Sequence, residues 1–109
     1  MSQDSEITWG SGNVFADLGL PDAEEELLKA QLASHIRAII KQRGLTQLQA
    51  SKILGLVQPN LSRLLSGKMT GYSVERLLRY ITTLGSDVDV VLRLKSEPQQ
   101  RGRVNILTA

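Results

Sequence analysis

The sequence of 109 residues contains no cysteine, which excludes two classes of small protein. Without thiols the chain can form neither a disulfide framework nor a thiolate metal site. Aromatic residues make up only 4% of the chain, and no apolar run approaches the ~20 residues of a membrane span. Residues 1–12 are acidic and polar, unlike a secretory signal peptide. We therefore expect a soluble cytoplasmic protein that uses no metal and no cofactor.

Histidine is also scarce, and this scarcity argues against an enzyme. His35 is the single histidine, and it falls within a helical pattern of apolar residues. The sequence shows no Ser-His-Asp arrangement, no paired-carboxylate signature and no phosphate-binding glycine loop. We therefore predict a binding protein without catalytic activity.

Charge is unevenly distributed along the chain, although the formal net charge is only +2. Residues 1–28 carry seven acids and no base, whereas residues 36–84 carry eight bases and one acid, Glu75. A cationic middle segment is typical of a domain that binds nucleic acid. The alternative is a solvated helix surface that is basic without binding anything.

Apolar residues recur at helical spacing in four stretches, which predicts a mainly α-helical fold. The first helix is expected to begin after Pro21, with Asp22 as its cap, and to end at Gly44. Thr46 and Gln49 form a capping-box pattern at the start of a short second helix. The inward-facing residues of these two helices are expected to be Leu28, Leu32, Ile36, Ile39, Ile40, Ala50, Ile53 and Leu54.

Glycine, proline and serine mark the limits of the later helices. Gly55 is expected to end the second helix, Pro59 to lie in the first turn of the third, and Gly67 to end it. Ser73 is expected to cap the fourth helix, which closes at Gly85. The buried faces of these helices are expected to contain Leu61, Leu64, Leu65, Val74, Leu77, Leu78, Ile81 and Leu84.

The periodicity changes in segment 87–95, where apolar residues alternate with mostly polar ones and predict a β-strand. No second strong strand is evident, and a lone strand cannot satisfy its own backbone hydrogen-bonding groups. The simplest partner is the same strand of a second copy, with or without exchange between protomers. An alternative partner is the N-terminal arm near Val14. The dimer interpretation assigns the contacts to Val88, Val90, Leu92 and Leu94.

Residues 45–68 carry the strongest functional signal, two short capped helices joined by a tight glycine turn. The small residues Ala50 and Ser51 allow the third helix to pack closely across the second. The third helix is then expected to project polar side chains that can hydrogen-bond base edges in a major groove. These side chains are Gln58, Asn60 and Arg63.

This segment resembles the helix-turn-helix of the Xre/Cro family of repressors. The match runs from the Leu-Thr-Gln opening at 45–47, through the glycine turn, to residues 61–64 and 66–68. The sequence departs from the family pattern at Ser51, where alanine is usual, and at Val57, where serine or threonine often caps the third helix. Gln58 or solvent would then supply that cap. The resemblance implies a lambda-repressor-like bundle of about four to five helices, with one C-terminal strand that pairs across a dimer.

Carried over position by position, the resemblance assigns four residues to the major groove. They are Gln58, Pro59, Asn60 and Arg63. The two amides are suited to reading adenine, and the guanidinium of Arg63 is suited to reading guanine. The DNA would be double-stranded, with half-sites related by two-fold symmetry to match the dimer.

Four further residues would position the protein on the DNA. Gln47 would contact a phosphate or an adjacent base, while Ser62, Lys68 and the main chain near Thr46 would hold phosphates. The alternative role of Thr46 and Gln47 is helix capping, and that of Ser62 is packing against the second helix. Two other cations of this region are expected to be solvated only, Arg43 and Lys52.

The flanks of the motif resemble the HigA-type antitoxin branch of the same family, so the likeness covers about residues 13–95. The matching pieces are residues 12–21, 72–78 and 84–88. That branch implies an antitoxin that binds an RNA-cleaving, RelE-like toxin and represses its own operon. Free-standing regulators share these flanks, so the alternatives are a regulator without a toxin and a protein-binding module that has lost DNA binding. The acidic arm would either cover a basic partner or pack on its own body.

These features divide the chain into three parts. Residues 1–20 are expected to be an N-terminal arm. Residues 21–95 form the predicted helix-turn-helix domain, which ends in the dimerisation strand 87–95. Residues 96–109 are polar and contain Pro98 and Gly102, so they are expected to form a flexible tail.

Overall fold

The computed structural model describes residues 22–95, 97 and 101–108, and this part of the chain contains four helices. The helices are α1 (Asp22–Gln42), α2 (Gln47–Leu54), α3 (Gln58–Leu65) and α4 (Val74–Thr83). Their order and type confirm the prediction of a mainly helical fold. Over the described ranges, none of them is both long and apolar enough to span a membrane. The N-terminal arm, with its alternative strand partner near Val14, lies outside the described residues.

The start of α1 differs by one residue from the capping prediction. Asp22 is the first residue of the helix and not a cap that precedes it. Glu24 and Glu25 share the first turn, so three carboxylates lie at the positive end of the helix dipole. Glu25 also pairs with Lys29 one turn later, at 3.2 Å. Because an acid stabilises the first turn from inside as well as from the cap, composition alone did not fix this boundary.

The core lies between α1 and α4, with α3 packed against α1 and α2 packed against α3 and α4. Most residues predicted to face inward are buried, and Leu54 and Leu65 are half-buried against the same core. The predicted residues that are buried are Leu28, Leu32, Ile36, Ile39, Ile40, Ala50, Leu61, Leu64, Val74, Leu77, Leu78, Ile81 and Leu84, and the core also contains Ala33 and Tyr80.

The predicted burial of Ile53 is wrong, because its side chain is 39% exposed. The buried residues of α2 are Ala50 and Ser51, with Leu54 half-buried beside them. At about 100° per residue, Ile53 points roughly 110° away from the centre of that face. A helix of eight residues offers only one narrow buried stripe, so an apolar residue beside the stripe stays at the surface.

Two arginines of the α1 region cap the C-terminal ends of other helices. Arg37 donates from both Nε and Nη2 to the carbonyl oxygen of Leu65, the last residue of α3. Arg43 donates from Nη1 to the carbonyl oxygen of Leu84 at 2.9 Å, just past α4. The expectation that Arg43 is only solvated is therefore wrong. Since the last carbonyls of a helix lack partners within it, each arginine stabilises the helix end that it meets.

Segment 87–95 does not form the predicted strand in the described chain. No backbone hydrogen bond joins it to any other described residue. Val88 and Val90 are half-buried, whereas Leu92 is 70% and Leu94 is 96% exposed. An extended segment becomes a strand only when a neighbouring segment exchanges backbone hydrogen bonds with it, and the described residues supply no such neighbour. Pairing with a second copy stays a prediction.

Part of the C-terminal segment returns to the helical body. Val104 and Ile106 are half-buried against the core, and Arg101 Nη1 lies 3.3 Å from Glu24 Oε2 in α1. Together with α1 and α4, residues 105–108 enclose a pocket of about 130 Å³. The division of the chain at residue 96 stays a prediction.

Candidate nucleic-acid interface

The turn between α2 and α3 depends on a glycine. Gly55 has φ 72° and ψ 28°, a left-handed conformation that a residue with a Cβ atom adopts at a cost. Its N–H donates to the carbonyl of Lys52 at 3.4 Å, and the N–H of Leu56 donates to that of Ser51 at 2.9 Å. These bonds close α2 and redirect the chain into α3, as the sequence predicts.

The predicted capping box at the start of α2 is confirmed. Thr46 Oγ1 accepts from the backbone N–H of Gln49 at 3.0 Å, and Gln49 Oε1 accepts from the N–H of Thr46 at 2.8 Å. Thr46 therefore serves α2 through its side chain. The adjacent Gln47 is exposed and is the first residue of the helix. The first turn of α2 is thus held rigidly, with Gln47 directed to the surface.

Close packing of α3 on α2 rests on two small residues. Ala50 is fully buried, and Ser51 is 2% exposed. The hydroxyl of Ser51 donates to the carbonyl oxygen of Leu48 at 2.8 Å, so the buried polar group has a partner. Serine in place of the usual alanine therefore leaves no unsatisfied group in the contact. On α3, Leu61 is fully buried and belongs to the same core cluster as Ala50.

The start of α3 has no side-chain cap. Val57 occupies the capping position with φ −73° and ψ 146°, and its side chain makes no hydrogen bond to the first turn of the helix. Gln58 is the first residue of the helix, so of the two expected caps only solvent fits. Pro59 lies in the first turn, as predicted, where its missing N–H costs no hydrogen bond. The side chain of Gln58 is consequently not engaged in capping its own helix.

All eight residues that the resemblance assigns to DNA are exposed. Two lie at the start of α2, five lie along α3, and one follows the end of α3. They are Thr46, Gln47, Gln58, Pro59, Asn60, Ser62, Arg63 and Lys68. Leu61 and Leu64 lie one helical turn apart on α3 and are buried, so they determine which side of the helix faces outward.

A cleft of about 220 Å³ opens beside α3 and collects part of this set. Its lining from α3 and the loop after it consists of Asn60, Arg63, Lys68 and residues 70–72. Arg76, in the first turn of α4, completes the lining. The other five residues of the predicted set do not line it, namely Thr46, Gln47, Gln58, Pro59 and Ser62. The cleft therefore brings three of the eight predicted residues together with two side chains that the sequence analysis missed, those of Tyr72 and Arg76.

Arg76 lies against two aromatic rings. Its Cζ is 5.0 Å from the ring centroid of Tyr72 and 5.6 Å from that of Tyr80. The two rings meet edge to face, with centroids 6.2 Å apart and planes inclined by 71°. Burial raises the pKa of Tyr80 above its ordinary value of 10.0, and the nearby Arg76 cation opposes that rise. The spacing of four residues within α4 could have indicated the contact of Arg76 with Tyr80, whereas Tyr72 precedes the helix and no local pattern marks its contact.

The predicted dimerisation residues lie elsewhere. Val88 contributes to the pocket between α1, α4 and residues 105–108, which shares no lining residue with the cleft beside α3. Within the described ranges, no group of three or more histidine, cysteine, aspartate or glutamate residues could hold a metal ion.

Comparisons with known proteins identify the family. The HTH_37 family, described as a helix-turn-helix domain, matches residues 14–93. A solved structure described as an XRE family transcriptional regulator is 38% identical, with a TM-score of 0.75. That similarity covers 82% of this chain and 100% of the other. No curated protein matches. The chain therefore belongs to the HTH_37 helix-turn-helix domain family and is an XRE-type transcriptional regulator.

Proposed function

We propose that this regulator is a repressor that recognises double-stranded DNA by placing the first turns of α3 in the major groove. The observation that carries the proposal is the set of exposed polar side chains on α3, which lie outside the face that buries Leu61 and Leu64. Gln58 and Asn60 have the amide groups that read adenine, and Arg63 has the guanidinium that reads guanine. Catalysis plays no part in this function.

The start of α2 and the end of α3 would hold the DNA backbone. The capping box orients the first turn of α2, where backbone N–H groups and the helix dipole favour a phosphate. Gln47 is exposed at that turn, and Ser62 and Lys68 are exposed on and after α3. Such contacts fix the register of the protein, while the base contacts of α3 supply specificity.

The repressor would act as a homodimer joined through residues 87–95. Exposed Leu92 and Leu94, and backbone groups without partners in the described chain, support this part of the proposal. A two-fold dimer requires half-sites related by two-fold symmetry. Their centres would lie about one helical turn apart, roughly 10 base pairs, or a multiple of it.

Selection of bound sequences from randomised duplexes, followed by affinity measurements on the selected site, tests DNA recognition. Arg63→Ala should lose roughly 1–3 kcal/mol of discrimination at one base pair in each half-site. Arg79→Ala removes the same charge from α4, where Arg79 pairs with Glu75 at 3.8 Å, and should keep the sequence preference. An unchanged affinity and preference in Arg63→Ala would show that α3 does not read this base pair.

We further infer that the protein is an antitoxin that neutralises an RNA-cleaving, RelE-like toxin and represses its own operon. The resemblance of residues 12–21, 72–78 and 84–88 to the HigA-type branch supports this role. The seven acids of residues 1–28 would suit a basic partner.

Co-expression with the product of the adjacent reading frame tests the antitoxin role. If the neighbour stops growth and this protein restores it through a complex that co-purifies, the role is supported. If the neighbour is harmless or no complex forms, the protein is a regulator without a toxin partner.

A further inference from the structure

The cleft beside α3 has a cationic lining. Its seven lining residues include Arg63, Lys68 and Arg76, and none of them is acidic. All three cations are exposed, and they come from α3, from the loop that follows it and from α4. A space of about 220 Å³ with this lining can receive a phosphate group and its first hydration shell.

Arg76 is held in place for a ligand and is not neutralised within the described chain. The neighbouring Glu75 pairs with Arg79, and no carboxylate of the described residues forms an ion pair with Arg76. The faces of Tyr72 and Tyr80 hold its guanidinium at cation–π distance. A guanidinium that stacks on aromatic rings keeps N–H donors at its edge for a second acceptor.

Tyr72 also connects this cation to the recognition helix. Its hydroxyl donates to the carbonyl oxygen of Asn60 at 3.4 Å, and its ring contacts both Arg76 and Tyr80. The first turns of α4 are therefore fixed against the exposed side of α3. In a complex with α3 in the major groove, the cleft would face the sugar-phosphate backbone at the groove edge.

We propose that the cleft is a phosphate site in which Arg76, with Lys68 beside it, binds a phosphodiester of the DNA backbone. Tyr72 acts as a positioning residue that holds Arg76 toward that phosphate. This inference rests on the proposed DNA-binding function and adds a contact from α4. The ligand is the DNA backbone because the cleft continues the surface that carries Asn60 and Arg63.

The salt dependence of binding to a random-sequence duplex of about 30 base pairs tests the site. The slope of log K against log salt is negative, and loss of one phosphate contact reduces its magnitude by about 0.9. When the salt concentration rises from 50 to 200 mM, the affinity of both proteins falls. The factor by which it falls should be roughly 3.5 times smaller for Arg76→Gln than for the wild type. The matched control Arg79→Gln removes a cation that is paired with Glu75, and its slope should change by less than half as much.

Two substitutions of Tyr72 separate positioning from folding. Tyr72→Phe keeps the ring beside Arg76 but loses the bond to Asn60, so its slope should stay closer to that of the wild type than to that of Arg76→Gln. Tyr72→Leu removes the ring and should reduce the magnitude of the slope toward that of Arg76→Gln. The double variant Tyr72→Leu/Arg76→Gln should show no further reduction. Thermal melts show whether each variant is folded at the temperature of the binding assay.

The outcomes distinguish this inference from the proposed function. If the wild type binds no duplex, the DNA-binding function itself fails. If the wild type binds but Arg76→Gln and Arg79→Gln have equal slopes, the phosphate site is wrong.

Titration with inorganic phosphate tests whether the cleft binds a free anion instead of the DNA backbone. An NMR shift of the Arg76 Nε–H group at millimolar phosphate, without any effect of Arg76→Gln on the DNA slope, would indicate a free-anion site and overturn the backbone assignment.

Discussion

Individual polar residues around α2 and α3 divide into those that serve the backbone and those that face outward. Thr46, Gln49 and Ser51 bond to nearby backbone groups, so their side chains stabilise α2. Gln58 and Arg63 are exposed and do not cap their own helix through their side chains. The first group therefore contributes to stability, and the second group is free for the DNA contacts that we propose.

Thr46→Ala should lower the free energy of unfolding by about 0.5–2 kcal/mol, because it removes the cap of α2 and half of the capping box. Urea denaturation measures the loss. Thr82→Ala is the matched control, since Thr82 bonds only to the carbonyl of Arg79 within its own helix. Equal losses in the two variants would contradict a special role for the cap.

Burial of Tyr80 gives a prediction for alkaline pH. Its pKa is raised in the folded protein, so the unfolded chain releases this proton first as the pH rises. The resulting stabilisation is fully present below pH 10.0 and is lost as the pH rises through the folded value. Tyr80→Phe should therefore lose stability less steeply above pH 10 than the wild type. Denaturation curves at several alkaline pH values check this, and identical slopes would contradict it.

At the scale of the helices, local signals predicted the ends and missed the contacts between distant residues. The caps Thr46 and Ser73 and the glycines after each helix are confirmed because they act within a few residues of themselves. Arg43 meets Leu84 across 41 positions of sequence, and no local pattern marks that pair. The predicted burial of Ile53 failed for the same reason, because the orientation of α2 depends on packing against α3.

The same limit applies to the candidate site. The exposed face of α3 followed from its periodicity, since Leu61 and Leu64 determine which side is buried. Arg76 and Tyr72 were missed because they join that face only through the course of the loop between α3 and α4. Side-chain properties predicted the recognition helix, whereas the neighbouring cleft required the tertiary structure.

Arg43→Met should destabilise the protein by about 1–3 kcal/mol, because it removes a charged donor from the carbonyl of Leu84 while keeping an apolar stem. Lys41→Met is the control, since Lys41 is exposed in the last turn of α1. Its effect should be smaller, within the few tenths to 1 kcal/mol of a helix-dipole contact. Thermal denaturation of both variants checks the difference, and a larger loss in Lys41→Met would contradict the capping role of Arg43.

For the whole molecule, recognition of a two-fold symmetric DNA site depends on how two copies associate. The core formed by α1 and α4 is complete in one chain, whereas Leu92 and Leu94 lie in the open on segment 87–95. A large exposed apolar segment of this kind is typical of an interaction surface. In the proposed repressor, α2 and α3 would read DNA while segment 87–95 would join the copies.

Replacing both Leu92 and Leu94 with lysine should convert a dimer into a monomer, because unpaired charges would be brought into the interface. Light scattering coupled to gel filtration measures the mass. Leu27→Lys is the control, since Leu27 is 60% exposed on α1, outside the predicted interface. A wild-type protein that is monomeric at tens of micromolar would contradict the predicted dimer.

A double-mutant cycle between Arg63 and one guanine of the selected site tests whether α3 reads bases in the major groove. Replacing that guanine with 7-deazaguanine removes only the N7 acceptor in the major groove. We predict that the replacement weakens the wild type by roughly 1–3 kcal/mol and leaves Arg63→Ala unaffected, a coupling that shows direct contact. Equal losses in the two proteins at every guanine of the site would contradict the placement of α3 in the major groove.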